Sequence, residues 1–288
     1  MSTRKTKLAA SALMVSSVLL LTGSLTSCGQ SDNPEQLVAE AVKYQQKGDR
    51  KAAVIQLKNA LQKKPDDAEA RFLLGSIYNE TGEALSAEKE IRRAAELGMA
   101  KARTAPQLAK ALMLQGQFQK ALDELAAAGP LQDASAEIIR GDAYSALNKQ
   151  AEAKAAYEQA LAADRDAAVA ANNLAWMYAE DGERLDEALQ LAQTARARMP
   201  DSASAADTLG WVFYKKGLLD SAVSTLKDAA AQDPKNAEIQ YHLGLAYAKN
   251  GEPQLARQKL QSALTMGPSS PLAGEAREVL QRLTVTGS

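Results

Sequence analysis

The chain has 288 residues, 46% of them hydrophobic, with 34 Lys and Arg against 35 Asp and Glu; this is enough apolar content to bury a core, which excludes a disordered chain. A formal net charge of −1 argues against nucleic acid as a partner, because phosphate contacts need a basic surface. One cysteine and one histidine in the whole chain exclude a disulfide framework and a Cys/His zinc site, so neither a metal nor a cofactor is expected.

The chain opens with Arg4, Lys5 and Lys7 and no acid, then an apolar run from Leu8 to Leu21, then the small and polar stretch Thr22 to Ser27. That order is the order of a secretory signal, and the apolar run is short for a spanning helix, which needs about 20 residues. Leu25-Thr26-Ser27-Cys28 resembles the bacterial lipobox. The resemblance implies that residues 1–27 are a lipoprotein signal peptide, that Cys28 becomes the lipidated N-terminus, and that residues 28–33 form a short linker. Gly29 rather than Asp follows Cys28, so retention at the inner membrane is not signalled. The expected location is the cell outer membrane, lipid-anchored and facing the periplasm.

From Pro34 onward the sequence repeats about every 34 residues, and this period governs the fold. Seven units start at Pro34, Ala68, Ala102, Ala134, Ala168, Ala203 and Ala237. Each has a small residue at position eight, such as Gly75, Gly141, Gly210 or Gly244, with an aromatic residue or Leu three later, expected to supply bulk opposite the small one. A Gly follows at fifteen, replaced by Asn148 in unit four, and alanines follow at twenty and twenty-seven. Gly at fifteen ends a first helix in the left-handed region, and Pro65, Pro200, Pro234 and Pro268 stop the second helix. Each unit therefore predicts helix, tight turn, helix. Unit five carries one extra residue after Gly182, and Gly129-Pro130 cuts unit three short, which predicts a slight bend there.

This pattern resembles the tetratricopeptide repeat. The resemblance implies an all-α, right-handed superhelix of about seven helix-turn-helix repeats over residues 34–270. One helical pair cannot bury its own apolar face, so residues 271–288 are expected to supply a capping helix and tail.

In that repeat the first helices line a concave groove, with positions two, five, six, nine and twelve facing a ligand. In units five to seven these positions gather Asn172, Asn173, Trp176, Asp207, Trp211, Tyr214, Tyr241 and His242. Trp and Tyr anchors of this kind are what protein hot spots use, so these eight residues are the candidate partner-binding site; a seam between repeats is the alternative use of the two Trp. The carboxylate clamp of the family matches only at Asn173: Ile138, Asp142, Ser204 and Thr208 stand where its other residues would be. A C-terminal carboxylate peptide is therefore not the expected ligand. His242 has no neighbouring nucleophile or metal site in the pattern, so no catalytic residue is expected.

The stretch Lys51 to Glu83, with GMAKARTAPQLAKALMLQGQFQKAL, NNLAWMYAEDGE and DTLGW further on, is similar to the repeat-containing lipoprotein of the exosortase/PEP-CTERM system. That resemblance implies an envelope scaffold that supports exopolysaccharide export or the sorting of tagged proteins, binds protein partners and performs no chemistry. A pilotin-like or outer-membrane assembly lipoprotein shares the same architecture, and the aromatic positions would also suit a glycan-binding module.

Overall fold

The computed structural model describes residues 33–131, 133–267 and 272–285. The expected signal peptide and Cys28 lie outside the described residues. Within them the chain is all helical, with no strand. α1 (Pro34–Gln46) pairs with α2 (Arg50–Lys63), α3 (Ala68–Thr81) with α4 (Ala84–Glu96), and α5 (Lys101–Leu114) with α6 (Phe118–Ala127). The pairs continue as α7 (Ala134–Ala146) with α8 (Gln150–Ala163), α9 (Ala168–Asp181) with α10 (Leu185–Arg198), α11 (Ala203–Lys215) with α12 (Leu219–Gln232), and α13 (Ala237–Lys249) with α14 (Pro253–Met266). α15 (Leu272–Val285) packs on both α13 and α14. The result is an α-solenoid of seven helical pairs with a closing helix.

Local chemistry sets the helix ends. Asn33, Asp49, Asp67, Asp133, Ser202 and Asn236 precede six of the helices, and each side chain accepts a hydrogen bond from a backbone N–H of the first turn. Within the acidic pair Asp66-Asp67, the second residue is thus the cap of α3. At the tight turns the six glycines at position fifteen have φ between 70° and 82°, and Asn148 takes φ 59° in the same place. The extra residue of unit five is absorbed at Arg184, which sits at φ 48°. Its guanidinium lies over the Tyr178 ring, 4.4 Å from the centroid, and pairs with Glu158 and Glu187.

Close approach of the paired helices explains the small residues. A Cβ on Gly75, Gly141, Gly210 or Gly244 would fall 2.5–2.7 Å from Ile91, Tyr157, Leu226 or Leu260 respectively. The bulk facing each small residue therefore comes from the second helix, sixteen residues later, and not from the aromatic residue three positions on. The reason is geometric: a residue three further on a helix lies on the same face, stacked beside the small residue rather than across from it. The alanines at position twenty are all 0% exposed. Ala128 is the exception at position twenty-seven, because α6 has already ended and Ala128 is its cap.

Successive first helices also touch: α3 with α5, α5 with α7, α9 with α11, and α11 with α13. The second helices do not approach one another in this way, so the first helices form the inner, concave layer. One apolar cluster runs from Ala41 to Ala136 and another from Ala153 to Val279. α7 serves both, packing Ala136 and Ile139 into the first and Ala134 and Ile138 against the second. The short α6 and the turn at Gly129 fall just before this shared helix.

Candidate functional site

The concave layer of α7, α9, α11 and α13 carries the site. Its first part is an aromatic seam. Trp176 of α9 stacks on Trp211 of α11 with ring centroids 6.2 Å apart and planes 24° apart, as expected for one position in consecutive repeats. His242 of α13 lies against both, 5.3 Å from Trp176 and 4.3 Å from Trp211, and Tyr214 stacks on Trp211 at 4.8 Å. Nε1–H of Trp211 donates to Glu180 Oε1 at 2.6 Å, and Lys215 reaches the same carboxylate at 3.3 Å.

Burial separates the eight sequence-selected residues into two groups. Asn173, Trp176 and Tyr214 are half-buried, and the first two line a cavity of the groove. Asn172, Asp207, Trp211, Tyr241 and His242 are buried, Trp211 at 6% and His242 at 1% exposure. The cause is the stacking itself: Trp211 lies against Trp176 of the preceding repeat and His242 of the following one, whereas the repeat before Trp176 carries Asp142, and no ring, at the matching position. Tyr241 is covered in addition by α15, whose Ala276 and Leu272 pack against the same core. Burial raises the Tyr241 hydroxyl above its ordinary pKa, and Glu275 beside it adds to that.

His242 Nδ1 lies 3.0 Å from each carboxylate oxygen of Asp207. A carboxylate accepts, so Nδ1 is the donor. The pair resembles an oriented base, but Trp176 and Trp211 roof the imidazole and leave a substrate no approach to it. Its role is to satisfy two polar groups inside the seam.

Beside the seam lies an open cavity of about 470 Å³, lined among others by Asp142, Asn172, Asn173, Trp176, Asp207 and Glu238. Tyr157 Oη donates to Asp142 Oδ1 at 2.6 Å, Asn173 Nδ2 donates to the same oxygen at 3.1 Å, and Asn172 Nδ2 donates to Asn173 Oδ1 at 3.3 Å. Burial pushes the Asp142 carboxyl above its usual range, opposed by the bonds from Tyr157 and Asn173. A second recess of about 670 Å³ adjoins it, sharing Asp142 and presenting Met113, Leu114, Ile138 and Val169. Leu114 and Val169 are 49% and 44% exposed. Sequence reasoning singled out neither Asp142 nor Tyr157 as a site residue. The available signal was that Asp142 occupies position nine of its unit, the position of both Trp.

Among the described residues no group of three His, Cys, Asp or Glu could hold a metal ion, and no helix is long and apolar enough to cross a membrane.

A curved stack of helical pairs with a concave apolar, aromatic and acidic groove defines a repeat-built binding protein. Residues 30–175 match the family model of the tetratricopeptide repeat-like domain, and residues 208–271 match a tetratricopeptide repeat model. The first match spans half of the chain, and the chain belongs to the tetratricopeptide repeat family. A curated relative, the TPR repeat-containing protein PA4667 of Pseudomonas aeruginosa, is 33% identical over 84 residues, which is 29% of this chain and 14% of that protein. The chain therefore matches only a small part of that relative's length. Among solved structures, the APC/C hetero-tetramer Cut9-Hcn1 is similar with a TM-score of 0.70 at 15% identity, covering 84% of this chain and 48% of that one. The structure from a functional characterisation of pilF of Pseudomonas aeruginosa has a TM-score of 0.63 at 21% identity, covering 72% and 95%. At these identities the likeness is one of fold. Tetratricopeptide repeats make a protein–protein interaction scaffold, and the chain is of that kind.

Proposed function

We propose that this chain is a non-catalytic, lipid-anchored scaffold of the bacterial cell envelope, held at the outer membrane through Cys28 and facing the periplasm, where it binds protein components of exopolysaccharide export or exosortase sorting. The single observation that carries the binding role is the concave groove in which half-buried Trp176 lines an acidic cavity that adjoins, through Asp142, an exposed apolar recess. Large aromatic residues with one open face beside apolar surface are the features that protein interfaces use as anchors. The lipid anchor is supported by the Leu25 to Cys28 motif and the signal-like residues before it.

The test is crosslinking in the native host with the full-length protein, followed by identification of partners by mass spectrometry beside Trp176→Ala. Trp176 is the appropriate residue because Trp211 is buried and its truncation would disturb the seam. Export or sorting components that disappear in Trp176→Ala are the expected result. Partners unchanged by the substitution would move the interface off this groove, and a dominant secretin would replace this reading with the pilotin-like one. Membrane fractionation of Cys28→Ser tests the anchor: release from the outer membrane fraction is expected, and retention would refute lipidation as the attachment.

A further inference from the structure

The cavity between α7, α9, α11 and α13 has a definite charge character. Asp142, Asp207 and Glu238 line it, and no Lys or Arg does. Asp207 is already engaged with His242, whereas Glu238 is exposed in the first turn of α13. The acids alone would describe only a solvated cluster. The second observation is Asn172, a wall of the same cavity, which is 8% exposed and whose Oδ1 accepts no hydrogen bond. A buried acceptor without a donor is unfavourable, and an N–H brought by a ligand relieves it. Trp176, half-buried on the same wall, offers an aromatic face.

Three requirements thus coincide: positive charge, several N–H donors, and a flat group that stacks on an indole. Guanidinium meets all three, because its donors lie in one plane and its faces are weakly hydrated. An ammonium meets only the first two and is more strongly hydrated. Asp142 joins this cavity to the apolar recess of Met113, Leu114, Ile138 and Val169, so the group enters on a chain that also carries apolar side chains. Resting on the scaffold reading above, we propose that the cavity binds an arginine side chain of a partner protein, presented by an extended segment whose neighbouring apolar residues occupy the adjoining recess. Half-buried Asp142 is then a carboxylate that gains, since a cation beside it offsets the cost of its partial burial.

Short linear peptides displayed on phage, selected against the purified full-length protein, test this without knowledge of the partner. Enrichment of arginine next to apolar residues is expected. Affinity of a selected peptide, measured by fluorescence anisotropy, should fall about tenfold or more when its arginine is replaced by citrulline, and should fall on Glu238→Gln, an exposed position that leaves the fold intact. Asp142→Asn should show the same loss, with its thermal unfolding recorded to exclude misfolding. Selection of peptides lacking arginine, or affinity indifferent to citrulline and to Glu238→Gln, overturns the cation site while leaving the scaffold reading to the crosslinking result. Failure to select any peptide also overturns it. If free spermidine binds more tightly than the peptides and displaces them, the site takes a small amine and the partner-segment proposal falls.

Discussion

Gly210→Ala and Gly274→Ala are the same chemical change in two helices, and packing sets opposite signs for them. Alanine is about 1 kcal/mol better than glycine inside a helix. Gly274 of α15 is exposed and a Cβ there would meet nothing within 4 Å, so its replacement should stabilise by up to about 1 kcal/mol. At Gly210 of α11 the added Cβ would lie 2.6 Å from Leu226 Cγ, 2.9 Å from Cδ2 and 3.2 Å from the Leu226 backbone nitrogen. Cγ is a branch point near the backbone of α12, so relief requires the two helices to separate. Overpacking of this kind costs about 1–3 kcal/mol, and subtracting the helix preference leaves a net destabilisation of about 1 kcal/mol. That corresponds to a lowering of the midpoint by about 2–4 °C in a chain of this size class. Thermal and urea unfolding followed by far-UV circular dichroism would measure both. In a Leu226→Ala background the two side-chain clashes are gone and only the 3.2 Å approach to the backbone nitrogen remains, so Gly210→Ala should cost markedly less than in the parent protein. If Gly210→Ala stabilises the parent protein as much as Gly274→Ala does, close approach of the paired helices is not what selects glycine at position eight.

Three further outcomes follow from named contacts. His242→Ala leaves the Asp207 carboxylate buried without its partner and opens space between the Trp rings, so a loss of about 3 kcal/mol or more is expected in urea unfolding; a change under about 0.5 kcal/mol, typical of surface substitutions, would show the seam to be loosely packed. Asn148, at φ 59°, should tolerate glycine with no loss, whereas Asn148→Val should cost about 1–2 kcal/mol. Acid titration of stability should separate two carboxylates. The hydrogen bond from Tyr178, reinforced by Arg184, holds Glu158 below its usual pKa, so its contribution is present at neutral pH and is lost as pH falls through the depressed value, and Glu158→Gln should flatten that limb. Burial raises Asp142, so its ionisation is unfavourable above the raised value and relieved below it. Asp142→Asn should remove that gain on acidification.

The fold was legible because its period is written in side-chain size. Gly75, Gly141, Gly210 and Gly244 recur where helices come within contact of Ile91, Tyr157, Leu226 and Leu260, and the other units carry alanine at the same position, so the spacing is visible in the chain itself. The turn glycines and Asn148 are legible for a similar local reason, a positive φ. The candidate site was legible only in part. Trp176 and Trp211 share position nine of consecutive units and His242 falls at a groove-facing position six, all visible in sequence, and the three do meet. Their exposure does not follow from register, since whether Trp211 opens to the groove depends on what the next repeat lays over it. Asp142 escaped notice as a site residue because its partner Tyr157 comes from α8, across the pair, at a position whose bulk carries no aromatic signature in the other units.

What the sequence by itself determined is the unit and its repetition: helix length, turn position, small-residue seams and the number of pairs all depend on interactions within one unit or between neighbours, which a period near 34 residues encodes directly. Only the tertiary structure decided how far each aromatic residue is covered, that Asp207 and His242 hydrogen-bond each other beside two indole rings, and that Asn172, Asp142 and Glu238, drawn from three different units, line one cavity without a basic side chain among them. The physical reason is that exposure and charge balance are sums over everything packed nearby, and in a curved stack those neighbours come from repeats distant in the chain.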